Sequence, residues 1–269
     1  MKLKIALLIC GGLTGEAKEK NGDYYDIYRN YLNNSFPESI SRSLEFSLDP
    51  YDVRTQQYPV EDEYDVLMIT GSASSAYEDI EWINKLTQYI ARVVNEKPHI
   101  KIIGICFGHQ VIARALGGEC VPNNGRWEIG PTHIHLTDLG KRFFGHQDQF
   151  TIQQMHRDHV PSVPPNFHLL GSTPVSPIQG MVRFLDPHTD PAKDHDSLPP
   201  VHVFTTQGHP EFTEPITTAI IKQRSATGAM DATTVADWEP RKYLPTHGVD
   251  IVGRAMWDVM VQGKFEKPN

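Results

Sequence analysis

The stretch Ile102-Ile103-Gly104-Ile105-Cys106-Phe107-Gly108-His109-Gln110 says most about the fold of this chain. Its apolar start is typical of a strand that is buried on both faces, and it leads directly into a cysteine with a glycine two positions to either side. We predict that a helix begins immediately after Cys106, so that the chain turns sharply at the carboxyl edge of a parallel sheet. Side chains two positions from such a turn would collide with neighbouring backbone, which explains both glycines.

This predicted turn is the cysteine counterpart of a nucleophile elbow. The helix N-terminus behind Cys106 favours the thiolate form of its side chain. The free backbone N–H groups at that terminus, Phe107 above all, are placed to receive the oxyanion that forms when a carbonyl is attacked. Taken alone, the pattern is equally compatible with a buried structural cysteine at the end of a core strand.

Buried strands and amphipathic helices alternate along the chain around this turn. Apolar runs at Lys2–Cys10, 64–70 and 201–206 are similar to the run before Cys106, and residues 82–94 carry apolar side chains at helical spacing. This alternation predicts an α/β fold with a mostly parallel central sheet and helices on both of its faces.

The part of the chain after Gly118 has a different pattern. Its predicted strands are shorter, and we expect them to form a small antiparallel addition to the sheet. Residues 186–200 are polar and proline-rich, which is typical of a surface loop. No shift in composition marks a linker, so we interpret residues 1–269 as a single domain with a C-terminal helical extension from about residue 213.

The composition of the 269 residues argues against several classes of function. A formal net charge of −8 is unfavourable for a nucleic-acid partner, and the longest apolar run near the N-terminus, Ile5–Cys10, is too short to span a membrane. The three cysteines match neither a disulfide framework nor a zinc site. We therefore expect a soluble, cytoplasmic protein without a metal and without nucleic-acid or membrane partners.

A thiol nucleophile needs a histidine as base, and Gln207-Gly208-His209-Pro210-Glu211 supplies a candidate. This segment follows the predicted strand 201–206, so it should lie at the same sheet edge as Cys106. His209 and Glu211 are two residues apart and point the same way from an extended segment, so the carboxylate is placed to fix the imidazole tautomer. By itself the His-Pro-Glu segment is more often an exposed turn, and only its combination with the elbow favours catalysis.

A second set of N–H donors should come from a neighbouring loop. Thr70-Gly71-Ser72-Ala73-Ser74 begins where another buried strand ends, which places it near the elbow. We expect the backbone N–H groups of Gly71 and Ser72 to complete an oxyanion hole with that of Phe107.

Together these three segments resemble the class I glutamine amidotransferase domain, a flavodoxin-like fold, over about residues 1–215. The resemblance implies that Cys106 is the nucleophile, His209 the base and Glu211 the orienting acid. It also implies roles in binding the amino-acid head of the substrate. These roles fall on Gln110 in the elbow helix and on Asp158 and His156, within a segment that resembles a loop between strands.

Two departures from the family pattern qualify this resemblance. Gly71-Ser72-Ala73 stands where many members have two glycines and a proline, and Gly208 precedes the histidine where biosynthetic members often have phenylalanine. We also expect no attached synthetase domain. The chain therefore resembles the stand-alone branch, which is similar to the glutaminase domain of GMP synthase and includes plant γ-glutamyl peptidases and fungal members.

Three functions compete at this point. The first is cysteine-dependent hydrolysis of a small-molecule γ-glutamyl amide, either glutamine or a γ-glutamyl conjugate, through a γ-glutamyl thioester on Cys106 and without a cofactor. The second is a glutaminase subunit that delivers ammonia to an acceptor synthetase on a separate chain. The third is a non-catalytic relative of the same fold in which Cys106 senses oxidants.

Overall fold

The computed structural model describes residues 1–191 and 198–264. Their strands, in chain order, are Lys2–Ile9 (β1), Glu45–Asp52 (β2), Val66–Ile69 (β3), Lys101–Ile105 (β4), Val121–Pro122 (β5), Glu128–Leu136 (β6), Gln149–His156 (β7), Asp158–His159 (β8), His168–Ser172 (β9), Gly180–Phe184 (β10) and Val201–Thr206 (β11). Their α-helices are Gly15–Asn21 (α1), Tyr24–Ser35 (α2), Glu81–Glu96 (α3), Phe107–Ala115 (α4), Asp138–Phe143 (α5), Glu214–Ala226 (α6), Ala232–Trp238 (α7) and Arg254–Val261 (α8). A π-helical segment, Gly248–Gly253, leads into α8, and short 3-10 turns lie at Val53–Thr55, Glu61–Glu63 and Glu239–Arg241.

The main sheet has nine strands in the order β2-β1-β3-β4-β11-β10-β9-β6-β7. The first five of these strands are parallel to one another. The last four continue the sheet in antiparallel pairs, and β5 and β8 form a separate two-stranded antiparallel ladder. The predicted α/β fold, a largely parallel sheet with an antiparallel addition, is therefore confirmed.

The sheet separates two apolar layers. On one face, α3 lays its buried stripe of apolar side chains on the sheet beside α4. On the other face, α2, α6 and α8 cover the strands. Because β3, β4 and β11 lie between these layers, nearly all their side chains are buried, which accounts for the apolar runs in β3 and β4.

Strand register brings three loops to one edge of the sheet. Ile69 at the end of β3 pairs with Gly104 of β4, and Ile105 pairs with Thr206 at the end of β11. The segments that follow these three strands therefore leave the sheet side by side. They contain Gly71, Cys106 and His209, as the sequence predicts for a site at the carboxyl edge.

Several elements differ from the sequence-based expectation. The segment around His156 and Asp158, expected to be a loop between strands, is the end of β7, one residue and the short strand β8. Helix α1 is not predicted by the sequence, because only Ala17 of that helix is buried and no apolar periodicity marks it. Part of the expected surface loop at 186–200 lies outside the described residues.

The C-terminal segment packs closely against the rest of the chain. Trp257 of α8 is fully buried, and its ring centroid lies 4.8 Å from that of Phe36 and 5.2 Å from that of Phe46. A Cβ on Gly248 would lie 2.3 Å from the Pro210 carbonyl oxygen, so the π-helical segment touches the backbone of the His-Pro-Glu turn. No helix among residues 1–191 and 198–264 is both long and apolar enough to cross a membrane.

Candidate active site

The backbone at Cys106 forms the sharp turn that the sequence predicts. Cys106 has φ 54° and ψ −103°, an unfavourable conformation for a residue with a side chain, and its N–H donates to the Thr206 carbonyl at 2.9 Å. A Cβ on Gly104 would lie 2.8 Å from the backbone of Gly108, and a Cβ on Gly108 would lie 2.3 Å from the Ile69 carbonyl oxygen. Both glycines are therefore required for the close approach of β3, β4 and α4.

His209 and Glu211 lie directly beside this turn. The His209 Nδ1 is 2.8 Å from Glu211 Oε1, and its ring stacks on that of Phe212 with centroids 4.0 Å apart and planes inclined by 8°. The His209 backbone N–H donates to the Gln153 carbonyl at 2.8 Å, which anchors the turn to β7. Cys106 lies close to the same ring, since a Cβ on Gly71 would lie 2.9 Å from His209 Cε1 and 3.7 Å from Cys106 Cβ. Cysteine, imidazole and carboxylate are thus gathered at one place.

The charges of these groups support one another. Burial by itself would lower the pKa of His209, but the negative charges of the Cys106 thiolate and the Glu211 carboxylate outweigh burial and raise that pKa well above its ordinary value. His209 and Glu211 are both almost completely buried, so their attraction is weakly screened. The arrangement favours the protonated form of the His209 imidazole.

Three tyrosines of α2 lie near the Glu211 carboxylate, and the sequence analysis did not identify them. The Tyr28 hydroxyl donates to Glu211 Oε1 at 3.2 Å, and burial together with the Glu211 charge raises the pKa of Tyr24, Tyr28 and Tyr31. Their spacing of four and three residues places them on one face of the helix, which is the signal that could have revealed them. The Tyr28 hydroxyl helps to hold the carboxylate toward His209.

The loop after β3 approaches both Cys106 and His209. A Cβ on Gly71 would lie 2.9 Å from His209 Cε1 and 3.7 Å from Cys106 Cβ, so a side chain at this position would disturb the contact between them. Ser72 lines the small cavity beside Cys106, and Phe107 is the first residue of α4, where backbone N–H groups lack partners within the helix. The three residues of the predicted oxyanion hole therefore lie close to Cys106.

The predicted substrate-binding residues converge on the far side of Cys106. The Gln110 side chain donates to the Asp158 carbonyl oxygen at 2.9 Å, and His156 Nδ1 lies 3.0 Å from the same oxygen. The Asp158 carboxylate accepts a hydrogen bond from Ser75 at 2.5 Å and a longer one of 3.4 Å from Tyr77. Gln110 and His156 thus hold the backbone at Asp158, whose carboxylate is oriented by the loop after β3.

A buried carboxylate on β6 supports this wall of the site. Glu128 Oε2 lies 3.2 Å from His156 Nε2 and accepts a hydrogen bond from Gln179 at 2.7 Å, while Oε1 accepts one from Thr173 at 2.6 Å. Burial would raise the pKa of Glu128, but His156 and the hydrogen-bond donors outweigh it and lower the pKa below its ordinary value. The carboxylate therefore remains charged and holds His156 in one orientation.

Two cavities meet at the reactive groups. A small one of about 40 Å³ is lined by Cys106, Gln110 and Asp158. A larger one of about 310 Å³ is lined by His209, Phe212 and the first residues after β1. Arg224 of α6 lines both. Among residues 1–191 and 198–264, no group of three histidine, cysteine, aspartate or glutamate side chains is arranged to hold a metal ion.

Comparison with known proteins places this geometry in a family context. The profile of the class-I glutamine amidotransferase family matches residues 23–224. A glutamine amidotransferase-like protein of Schizosaccharomyces pombe is 34% identical over 227 residues, which cover 82% of this chain and 84% of that protein. Gamma-glutamyl peptidase 3 of Arabidopsis thaliana is 30% identical over 182 residues, 64% of this chain and 66% of that protein. The crystal structure of a glutamine amidotransferase from Thermotoga maritima has a TM-score of 0.65 at 18% identity, with 97% of this chain and 98% of that chain covered, and it supports the fold.

Proposed function

The chain belongs to the class I glutamine amidotransferase family, and from that premise we propose that it hydrolyses a γ-glutamyl amide through a thioester on Cys106. The observation that carries the proposal is the placement of Cys106 and His209 together at the carboxyl edge of the sheet, with His209 Nδ1 2.8 Å from Glu211 Oε1. In this proposal Cys106 is the nucleophile, His209 transfers protons and Glu211 orients the imidazole. Relatives named gamma-glutamyl peptidase support this choice of substrate class.

The first step forms the thioester. The Cys106 thiolate bonds to the γ-carbon of the substrate, and the electrons of the carbonyl double bond move to oxygen. The backbone N–H groups of Ser72 and Phe107, with Gly71 beside them, are proposed to stabilise this oxyanion. When the carbonyl re-forms, the C–N bond breaks and the leaving amine takes a proton from His209 Nε2, because Nδ1 faces Glu211.

The second step releases glutamate. His209, now neutral, takes a proton from a water molecule as the water oxygen bonds to the thioester carbon. The C–S bond then breaks, so that sulfur leaves as a thiolate and His209 again carries its proton. Throughout both steps the negative charge of Glu211 stabilises the imidazolium.

The γ-glutamyl head is proposed to occupy the small cavity beside Cys106. The Asp158 carboxylate lines this cavity and is suited to the positively charged α-amine of the substrate. Gln110 and His156 are proposed to act as positioning residues, since both contact the Asp158 carbonyl oxygen. We further propose that the C-terminal segment from about residue 213 is part of the same domain, because it packs on the His-Pro-Glu turn.

A second candidate function is favoured by one specific relative. This relative, from Sulfurisphaera tokodaii, is named as one of the subunits of glutamine-hydrolyzing GMP synthase. It is 28% identical over 159 residues, which cover 58% of this chain and 73% of that protein. A synthetase on another chain is therefore an alternative recipient, to which the same thioester chemistry would deliver ammonia.

Glutamate release from glutamine, glutathione and further γ-glutamyl conjugates tests the proposal. The wild-type protein should release glutamate from at least one compound, and acid-quenched samples should show one γ-glutamyl group attached to the protein by intact mass spectrometry. The Cys106→Ala variant should lose both signals, whereas Cys120→Ala, a change at another buried cysteine, should keep them. Release that Cys106→Ala retains in full would refute the thioester mechanism. Release that appears only after addition of a synthetase would favour the second function.

A further inference from the structure

Two arginines and a tryptophan line the small cavity beside Cys106, and one of the arginines, Arg224, also lines the larger cavity. The guanidinium of Arg224 lies over the Trp127 ring, 5.2 Å from its centroid, and that of Arg157 lies 5.8 Å from the same centroid. Arg224 projects from α6, Arg157 follows β7 and Trp127 precedes β6. These three residues, which we call the arginine–tryptophan cluster, are brought together from distant parts of the chain by the fold.

Neither arginine of the cluster is paired with a carboxylate among the described residues. Arg54, Arg92 and Arg241 each form an ion pair with a carboxylate. By contrast, neither guanidinium of the cluster forms an ion pair or a hydrogen bond within residues 1–191 and 198–264. Arg224 is half-buried, so it has lost part of its hydration, and the one anionic group whose charge acts most on it is Cys106 rather than a carboxylate. A site of this kind is favourable for an anion that arrives from solution.

The position of Arg224 indicates which part of a substrate it would contact. The proposed γ-glutamyl head lies in the cavity of about 40 Å³ with Cys106 and Asp158. The leaving amine must lie near His209, which gives it a proton, and His209 lines the cavity of about 310 Å³. Ammonia needs no such space, whereas a cavity of this size is at the lower end of those that hold small organic ligands. Arg224 lines this cavity as well.

We propose that Arg224 determines substrate specificity by binding a carboxylate on the leaving amine, so that the preferred substrates are γ-glutamyl amides of amino acids or peptides. This inference rests on the proposed function and deepens it. The guanidinium presents paired donors that suit a carboxylate, and the Trp127 ring restricts its plane. Arg157 lies near the same ring but lines the small cavity and not the larger one, so the contact with the leaving amine is assigned to Arg224 alone.

Paired substrates test this inference. The kcat/KM is measured for γ-glutamylglycine and for γ-glutamylglycinamide, which differ only in the carboxylate of the leaving amine. The wild-type protein should prefer the acid, and Arg224→Gln should reduce that preference roughly 10- to 100-fold, as expected for loss of a charge-assisted hydrogen bond, mostly through KM. Lys222→Gln removes the same charge two residues away on α6, from an exposed side chain that faces Glu16, and should leave the preference unchanged.

The outcomes separate this inference from the function on which it rests. Turnover of both substrates with a preference that Arg224→Gln does not change would overturn the role of Arg224 and leave the hydrolase function intact. If neither substrate is turned over, the hydrolase proposal fails for this class. In that case the carboxylate contact is tested by calorimetry, which measures the affinity of both compounds for the Cys106→Ala variant and for the double variant that also carries Arg224→Gln. An equal loss of affinity for the acid and the amide in the double variant would overturn the carboxylate contact.

Discussion

The parallel and antiparallel halves of the sheet meet between β11 and β10 and contribute different parts of the site. The parallel half delivers the proposed reactive groups from strand ends, with Cys106 after β4 and His209 after β11. The antiparallel half delivers a polar wall, in which Glu128 of β6 and His156 of β7 support Asp158. In the proposed mechanism, the reactive groups thus follow strands that are buried on both faces, and the substrate-binding groups belong to a buried hydrogen-bond network.

The two halves also achieve precision in different ways. Around Cys106 the backbone itself is constrained, because glycines at 104 and 108 allow contacts that no larger residue could make. Around Asp158 the backbone is held by side chains, each of which accepts or donates a specific hydrogen bond. Substitutions in the parallel half should therefore impair the reaction steps, and substitutions in the antiparallel half should impair substrate binding.

The largest effect is expected from Glu211→Gln in the parallel half. The substitution removes the negative charge that orients His209, so kcat should fall roughly 10³- to 10⁴-fold. It also removes one of the charges that raise the pKa of His209, so the alkaline limit of the kcat/KM profile should move to lower pH. Steady-state kinetics across a pH series measures both effects.

Glu214→Gln is the matched control for this prediction. Glu214 lies three residues further along and bonds to the Thr218 hydroxyl rather than to the site. Its substitution should leave both kcat and the pH profile close to those of the wild-type protein. Normal kcat in Glu211→Gln would show that the imidazole is oriented by other contacts.

Alanine substitutions at two glycines test whether an added Cβ beside His209 impairs the reaction. An alanine at Gly71 would place its Cβ 2.9 Å from His209 Cε1, whereas an alanine at Gly12 would meet no atom within 4 Å. Displacing the imidazole by a fraction of an ångström should reduce kcat about 100-fold in Gly71→Ala. With glutamine as the substrate, whose leaving ammonia does not fill the larger cavity that Gly12 lines, Gly12→Ala should retain kcat, and thermal unfolding of both variants checks that they fold. Equal activity in the two variants would contradict the close contact of Gly71 with the site.

The antiparallel half is tested by Asp158→Asn. The asparagine oxygen keeps an acceptor for the Ser75 hydroxyl, but the negative charge proposed to face the substrate amine is lost. KM for a γ-glutamyl substrate should rise roughly 10- to 100-fold with a smaller change in kcat, because the lost contact is present in ground and transition states alike. Asp148→Asn, at an exposed carboxylate paired with Lys141, is the control. A change confined to kcat would assign Asp158 to the reaction rather than to binding.

The same difference between the halves explains what the sequence predicts. Strands β1, β3 and β4 are recognisable because burial on both faces favours apolar runs, and β11 is recognisable by its short stretch with Val201, Val203 and Phe204. The Cys106 turn and the His-Pro-Glu segment are recognisable because backbone geometry restricts the residues at fixed spacing. Both kinds of signal are local in the sequence.

The antiparallel wall carries no such signal. Strand β7 contains Gln153 and Gln154, which are buried, so its sequence lacks the alternation that marks a strand with one solvated face. In the sequence, Arg224 is indistinguishable from other polar residues of an amphipathic helix, because its contact with Trp127 exists only in the folded protein. Polar residues become informative only when their partners are known, and those partners are distant in the sequence.

The smallest effect concerns stability in acid and depends on His109 of the elbow helix. Burial, reinforced by the charge of His156 and opposed by a backbone hydrogen bond with Ile178, lowers the pKa of His109 to about 3. The unfolded chain takes up a proton near pH 6.5 that the folded chain refuses, so the unfolding free energy should fall by about 1.4 kcal/mol per pH unit as the pH decreases below 6.5. His109→Gln should lose this part of the slope in urea titrations between pH 6.5 and 4.5, whereas His99→Gln, at an exposed histidine, should keep it. An unchanged slope in His109→Gln would mean that the buried imidazole titrates normally and that the parallel half tolerates a charge at its centre.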